Sequence, residues 1–102
     1  MHQGQICMSV EKVLVQRGIF EPFLRRFVER AAKLRVGDPS RDPSNVIGPL
    51  INDKQVAKVR EQIDDAIARG AKVVLGGRVD GRFVEPTILV GVTPEMKLYQ
   101  EE

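Results

Sequence analysis

Residues 52–77 constrain this chain most, because they write a helix, a stop and a strand in direct succession. Asn52 can cap, and Gln55 three residues later can return the bond, a reciprocal arrangement that satisfies two otherwise unpaired helix donors. Val56, Val59, Ile63, Ala66 and Ile67 then recur at helical spacing and form one apolar stripe. Asp65 and Arg69 add a weak i,i+4 pair. Gly70 stands where a helix ends in a left-handed residue. Residues 71–75 (AKVVL) read as a short strand, ended by Gly76-Gly77. A striped helix that feeds a strand through one glycine predicts an α/β layer arrangement rather than a helical bundle.

A second stripe precedes it. Phe20, Phe23, Leu24, Phe27, Val28 and Ala31 fall at i, i+3, i+4, i+7, i+8 and i+11, so this segment is the clearest helix, and a core-facing one. Pro22 is tolerable in its first turn, and the helix should end near Leu34 or Arg35, before Gly37. Residues 12–16 (KVLVQ) read as a short strand covered on both faces, since Val13, Leu14 and Val15 are apolar in succession. Between the helices, residues 36–51 carry Gly37-Asp38-Pro39, Asp42-Pro43 and Gly48-Pro49, which predicts an ordered surface crossing. Asp80-Gly81 marks a turn. Residues 83–92 read as a strand that Pro86 makes an edge or a bulge. Thr93-Pro94-Glu95 starts another turn, and no closing element is expected after it.

Composition narrows the function classes. A chain of 102 residues holds one domain at most. Its net charge of +2, with no basic block interleaved with aromatics, gives no reason to expect a nucleic-acid partner. No apolar run approaches the ~20 residues of a membrane span, and the N-terminus lacks the pattern of a secretion signal. One cysteine and one histidine are too few for a Cys/His zinc site, so no metal is expected. A single cysteine makes no internal disulfide, which suits a reducing, cytoplasmic setting.

That cysteine is Cys7, in Met1-His2-Gln3-Gly4-Gln5-Ile6-Cys7-Met8-Ser9. Its position beside a glycine leaves two readings open. It could be a nucleophile presented on a tight turn, or a buried thiol that packs as a small hydrophobe. The front of the chain opens within a motif and the back stops on two carboxylates, so a piece of a larger protein is expected.

Several stretches then point one way. Gly4-Gln5-Ile6-Cys7 resembles the Asn-x-Gly-Gln-x-Cys nucleophile motif of the NAD(P)-dependent aldehyde dehydrogenases. Val36-Gly37-Asp38-Pro39 followed by Gly48-Pro49-Leu50-Ile51 resembles that family's crossing between two helices. Gly70-Ala71-Lys72 with Gly76-Gly77 is similar to its Glu-Gly-Ala-x-x-x-x-Gly-Gly segment, and Phe83-x-x-Pro86-Thr87 to its Phe-x-x-Pro-Thr strand. Glu101-Glu102 would open its Glu-Glu-x-Phe-Gly-Pro motif. The likeness covers essentially all of the chain, in order and in spacing. Two positions depart from it. His2 stands where most members carry Asn, a variant that resembles the branch acting on aromatic aldehydes such as benzaldehyde, vanillin and salicylaldehyde. Lys12 replaces a common Arg, which keeps the charge and loses the planar fork.

The resemblance implies that residues 1–102 are part of the three-layer α/β catalytic domain, from the nucleophile motif to the Glu-Glu cofactor motif, without the cofactor-binding domain. It implies oxidation of an aldehyde with NAD or NADP by Cys7 through a thiohemiacetal and a thioester, and homo-oligomers of the full-length protein. Ile6 and Met8 would line the substrate tunnel, or pack as ordinary core. Glu102 would bond the nicotinamide-side ribose, or end as a solvated carboxylate. Gln55 and Lys58 match positions that reach the cofactor, beside a capping role for Gln55 and a solvated one for Lys58. No Gly-rich turn here opens a helix, and the family's general-base Glu and oxyanion Asn lie outside these residues, so the 102 residues alone are expected to be inactive. A cysteine hydrolase using Cys7 and His2, or a non-catalytic binding or assembly module that keeps the fold, are the alternatives.

Overall fold

The computed structural model describes residues 4–101; His2 and Glu102 lie outside the described residues. After a 3-10 turn at Arg17–Ile19, helix α1 spans Phe20–Ala31. Helix α2 spans Asp53–Ala68, strand β1 Lys72–Leu75, β2 Val79–Asp80, β3 Phe83–Val84 and β4 Ile88–Val90, and a last short helix, α3, spans Lys97–Gln100. Strands β1 and β4 pair antiparallel, as do β2 and β3. Among the described residues no helix is long and apolar enough to cross a membrane.

Helix α2 begins and ends as the sequence dictates. The Asn52 side chain accepts a hydrogen bond from the Gln55 backbone N–H at 2.9 Å, satisfying one of the free donors of the first turn. At the other end Gly70 N–H donates to the Ile67 carbonyl and Ala71 N–H to the Ala66 carbonyl, the paired bonds of a Schellman motif. The turn delivers the chain into β1. Ile63 and Ala66 are buried, Val56 and Val59 are half-buried, and Ile67, expected in the buried stripe, is exposed. The core forms where α2, the start of β1 and α3 meet. Ala66, Ala71 and Met96 are buried there, with Leu89, Val92 and Leu98 packed around them.

The β1–β4 pair depends on a glycine. Gly76 has φ +70°, and a Cβ on it would lie 2.2 Å from the Pro86 carbonyl oxygen. The adjoining Gly77 N–H donates to Thr87 Oγ1 at 3.0 Å. The expected strand over residues 83–92 is therefore two strands: Pro86 lacks a ladder donor, and the chain breaks there into β3 and β4. The register between β1 and β4 also slips between Val73 and Leu75.

Four further expectations need correction. Residues 12–16 are not a strand, because no neighbouring strand lies beside them among the described residues to complete a ladder; Leu14 is 97% exposed. Helix α1 stops at Ala31 rather than near residue 34 or 35. Lys33 and Leu34 donate to Arg30 and Ala31, the tight i→i+3 bonds of a closing turn. Its apolar stripe does not reach the buried core either. Phe23 and Phe27 stack with centroids 5.7 Å apart and line a groove of about 550 Å³ with Val13, Leu14, Leu89 and Leu98. A closing element also exists where none was expected, namely α3.

Residues 36–51 form the ordered crossing. Val36 and Ile47 make one parallel bridge. Asp38 accepts bonds from the backbone and hydroxyl of Ser40 at 2.8 and 2.7 Å, and Asp42 does the same with Ser44 at 2.9 and 2.7 Å. These bonds hold both carboxyls below the usual carboxylate range, the serine hydroxyls first and their backbone amides next. Leu50 N–H donates to the Arg82 carbonyl at 2.8 Å, and the Arg82 guanidinium to the Ile51 carbonyl at 3.0 Å, which pins the end of the crossing to the β2–β3 hairpin.

Candidate active site

Cys7 is a free, exposed thiol. Ser9 N–H donates to the Ile6 carbonyl at 2.8 Å, so Cys7 and Met8 are the two central residues of a tight turn. Gly4, three residues earlier, has φ +79°, a conformation that a side chain would strain. Within the described residues Cys7 is not packed as a buried thiol. Met8 is 69% exposed and Ile6 half-buried.

Gln5 gives this turn its place. Its side-chain oxygen accepts a hydrogen bond from the Ile51 backbone N–H at 2.8 Å, across 46 residues. Ile51 directly precedes the Asn52 cap, so the turn that carries Cys7 is tied to the N-terminal end of α2. Gln55 lies on the first turn of that helix and is exposed, while its backbone N–H is held by Asn52. The half of the capping arrangement that the structure shows is thus the Asn52 half, made to the Gln55 backbone. Lys58 is half-buried one turn further on, which sets it apart from a fully solvated helix lysine. At spacing i, i+3 the two share a helix face.

A second strap leaves the other side of the turn. Lys12 Nζ lies 3.7 Å from the centroid of the Tyr99 ring and donates a hydrogen bond to the Tyr99 carbonyl. Tyr99 belongs to α3, which leads into Glu101. The described structure therefore draws the Cys7 segment towards the start of α2 on one side and towards α3 on the other. His2 and Glu102, both expected near the chemistry, lie outside the described residues. The 550 Å³ groove does not include Ile6, Cys7 or Met8 among its lining.

Gln5 and Tyr99 had no role in the sequence reading. Gln5 stood inside the quoted Gly-Gln-x-Cys motif, which was the available signal. Nothing in the sequence marks Tyr99.

The described residues are a mixed α/β unit that carries a free thiol on a strapped turn. The comparisons make the class specific: the model of the Aldehyde dehydrogenase family matches residues 1–102. The chain belongs to that family. It is 41% identical over 101 residues to a vanillin dehydrogenase of Pseudomonas fluorescens, covering 99% of this chain and 21% of the relative. It is 46% identical over 101 residues to a benzaldehyde dehydrogenase of Bacillus subtilis (strain 168), with the same coverage of 99% and 21%. Among solved structures, that of a salicylaldehyde dehydrogenase from Pseudomonas putida G7 complexed with salicylaldehyde aligns with a TM-score of 0.92 at 42% identity, covering 98% of this chain and 21% of that one. The chain thus spans about a fifth of the length of the relatives it matches, and its α/β fold is part of the family's fold.

Proposed function

We propose that residues 1–102 carry the nucleophile of an NAD(P)-dependent aldehyde dehydrogenase, as part of its catalytic domain, and that Cys7 is that nucleophile. The observation that carries this reading is the exposed Cys7 thiol on a turn strapped through Gln5 to the start of α2, within a family match that spans the whole chain.

The chemistry follows from the thiol. The Cys7 thiolate attacks the aldehyde carbon, and the carbonyl oxygen becomes an oxyanion that the Cys7 backbone N–H can stabilise. The nicotinamide, when bound, supplies the two-electron acceptor for the hydride that this carbon gives up. The carbon is left as a thioester on Cys7, and water opens it to a carboxylic acid and the free thiol. The held turn keeps Sγ in one place for both halves of the reaction.

Part of a dinucleotide site fits here. Gln55 and Lys58 offer an amide and a cation on one face of the first turns of α2, where the helix dipole also favours anionic groups. Glu102, by resemblance, would hold the nicotinamide ribose. No glycine-rich turn opens a helix in this sequence, and Gly76-Gly77 lead from β1 towards β2, so the residues fit the polar periphery of the cofactor and not its pyrophosphate cradle.

Ile6 and Met8 flank the thiol with apolar surface, which suits an apolar or aromatic aldehyde. The vanillin, benzaldehyde and salicylaldehyde dehydrogenases among the relatives support the aromatic choice. A reducing, cytoplasmic setting keeps Cys7 a thiol, and a homo-oligomer completes the reading. A cysteine hydrolase is the weaker reading, since His2 stands only five residues from Cys7 and the sequence offers no evident third residue to orient it.

The test uses the complete polypeptide that carries these residues. Wild type should form NAD(P)H with benzaldehyde or vanillin, and Cys7→Ser should lower kcat by roughly 10³-fold or more. A Cys7→Ser protein that oxidises aldehyde at an undiminished rate overturns the assignment.

A further inference from the structure

Helix α3 has four residues, far fewer than an isolated helix needs to persist in water. It carries no side-chain cap of its own. Both of its ends are satisfied from elsewhere in the chain. At the N-terminal end, Asp65 of α2 accepts the Lys97 backbone N–H at 2.9 Å. At the C-terminal end, Lys12 donates to the Tyr99 carbonyl, one of the last-turn carbonyls that lack an intrahelical partner, and its ammonium also lies 3.7 Å from the centroid of the Tyr99 ring. A cation at a helix C-terminus is favourable in its own right. Lys12 comes five residues after Cys7, and Tyr99 two residues before Glu101. One side chain thus spans the nucleophile segment and the segment that ends in the carboxylate pair.

We propose that Lys12 is a positioning residue, whose clasp on Tyr99 fixes the Cys7 segment against α3 and so sets the alignment of the thiol with the cofactor's nicotinamide end. This rests on the proposed function, which assigns Glu102, one residue beyond the described chain, to the nicotinamide ribose. The Lys12 ammonium touches neither aldehyde nor cofactor in this account. It acts through the backbone of α3. The ring contributes its face and not its hydroxyl, so the clasp distinguishes a phenyl ring from an aliphatic side chain at position 99.

The experiment uses the complete enzyme with four variants: Lys12→Met, Lys12→Arg, Tyr99→Leu and Tyr99→Phe. Each is assayed for kcat, for the cofactor KM, and for the rate at which a thiol reagent labels Cys7 with and without NAD(P)+. Lys12→Met should raise the cofactor KM and lower kcat, each by about tenfold. It should also lose the change that cofactor makes to Cys7 labelling, while labelling without cofactor stays as in wild type. Lys12→Arg should recover most of both, since a guanidinium can also stack on the ring and donate. Tyr99→Phe should match wild type. Tyr99→Leu should resemble Lys12→Met, and the Lys12→Met/Tyr99→Leu pair should be little worse than either alone.

A Lys12→Met enzyme with wild-type kcat, cofactor KM and labelling overturns the clasp, and so does one that only melts earlier while its kinetics stay unchanged at lower temperature. A wild-type enzyme that forms no NAD(P)H with any aldehyde overturns the dehydrogenase reading and the clasp's role with it, which separates the two failures.

Discussion

The Asp65 carboxylate on α2 accepts a hydrogen bond from the backbone N–H of Lys97 at 2.9 Å, so one helix caps the next across 32 residues. The same carboxylate accepts from the Arg69 guanidinium at 2.9 Å, and Lys97 Nζ pairs with Glu61 one turn back on α2. Met96, immediately before α3, is fully buried against Ala66 and Ala71. The short helix is therefore held by polar bonds on its rim and by one methionine beneath it.

Asp65→Ala should lower the melting temperature by a few degrees and Asp65→Asn by less, because an amide oxygen can still accept from Lys97 N–H. The acid limb should respond too. Arg69 first, and the Lys97 N–H next, hold the Asp65 carboxyl below its ordinary value. Its folded pKa is thus lower than its unfolded one, so the unfolded chain takes up the proton first as pH falls. The contribution is complete above the ordinary carboxylate value of about 4 and is lost as pH drops through the folded value. Asp38, Asp42 and Glu95 are shifted the same way and act in the same window. Denaturant melts at a series of acidic pH values should show a shallower fall for Asp65→Asn than for wild type; parallel curves would contradict the linkage.

Gly76→Ala should cost about 2 kcal/mol or more, combining a left-handed backbone with a Cβ only 2.2 Å from the Pro86 carbonyl oxygen. Gly81 supplies the contrast. Its φ is +54° with nothing within 4 Å of an added Cβ, so Gly81→Ala should cost only about 1 kcal/mol, the backbone part. Equal losses in urea titrations of the two variants would show that the contact with Pro86 is not what sets the cost.

Gln5→Ala should leave the fold intact and loosen the Cys7 turn, since it removes the bond to Ile51 N–H and no buried group. In the complete enzyme kcat should fall by about tenfold with little change in cofactor KM. Gln5→Glu, which keeps an acceptor at the same reach, should restore most of the loss. Unchanged kcat in Gln5→Ala would mean that the turn is held by other contacts.

The 102 residues expressed alone should self-associate at micromolar concentration. Leu14 is 97% exposed, and with Val13, Phe23 and Phe27 it borders a single apolar groove. Sedimentation should show dimers or larger species, shifted towards monomer by a Leu14→Glu/Phe27→Glu pair. A monomeric wild-type chain would rule this out.

Much of this was readable from residues close in sequence. Asn52, Gln55, Gly70 and the stripe between them define α2 because cap, stop and period are local and agree. The Gly-Gln-x-Cys stretch is equally local, and the proposed site rests on it. What escaped depends on distant partners. Residues 12–16 have the composition of a strand, yet a strand is a property of a pair. Helix α3 has neither length nor cap, and its existence is written in Asp65 and Lys12, far from residues 97–100. The α1 stripe has the right period, but periodicity tells which face is apolar and not what covers it.

The two straps on the Cys7 turn also impose an order in time. Gln5 waits for residue 51 and Lys12 for residue 99, whereas the cap and stop of α2 close within three to five residues. During synthesis the Cys7 turn emerges before either partner, and its second strap can close only after α2 and strands β1 to β4 have emerged. Between the emergence of residue 51 and that of residue 99 the Cys7 segment has its Gln5 strap and lacks the one from Lys12, and in that interval an oxidant meets a thiol without its final surroundings.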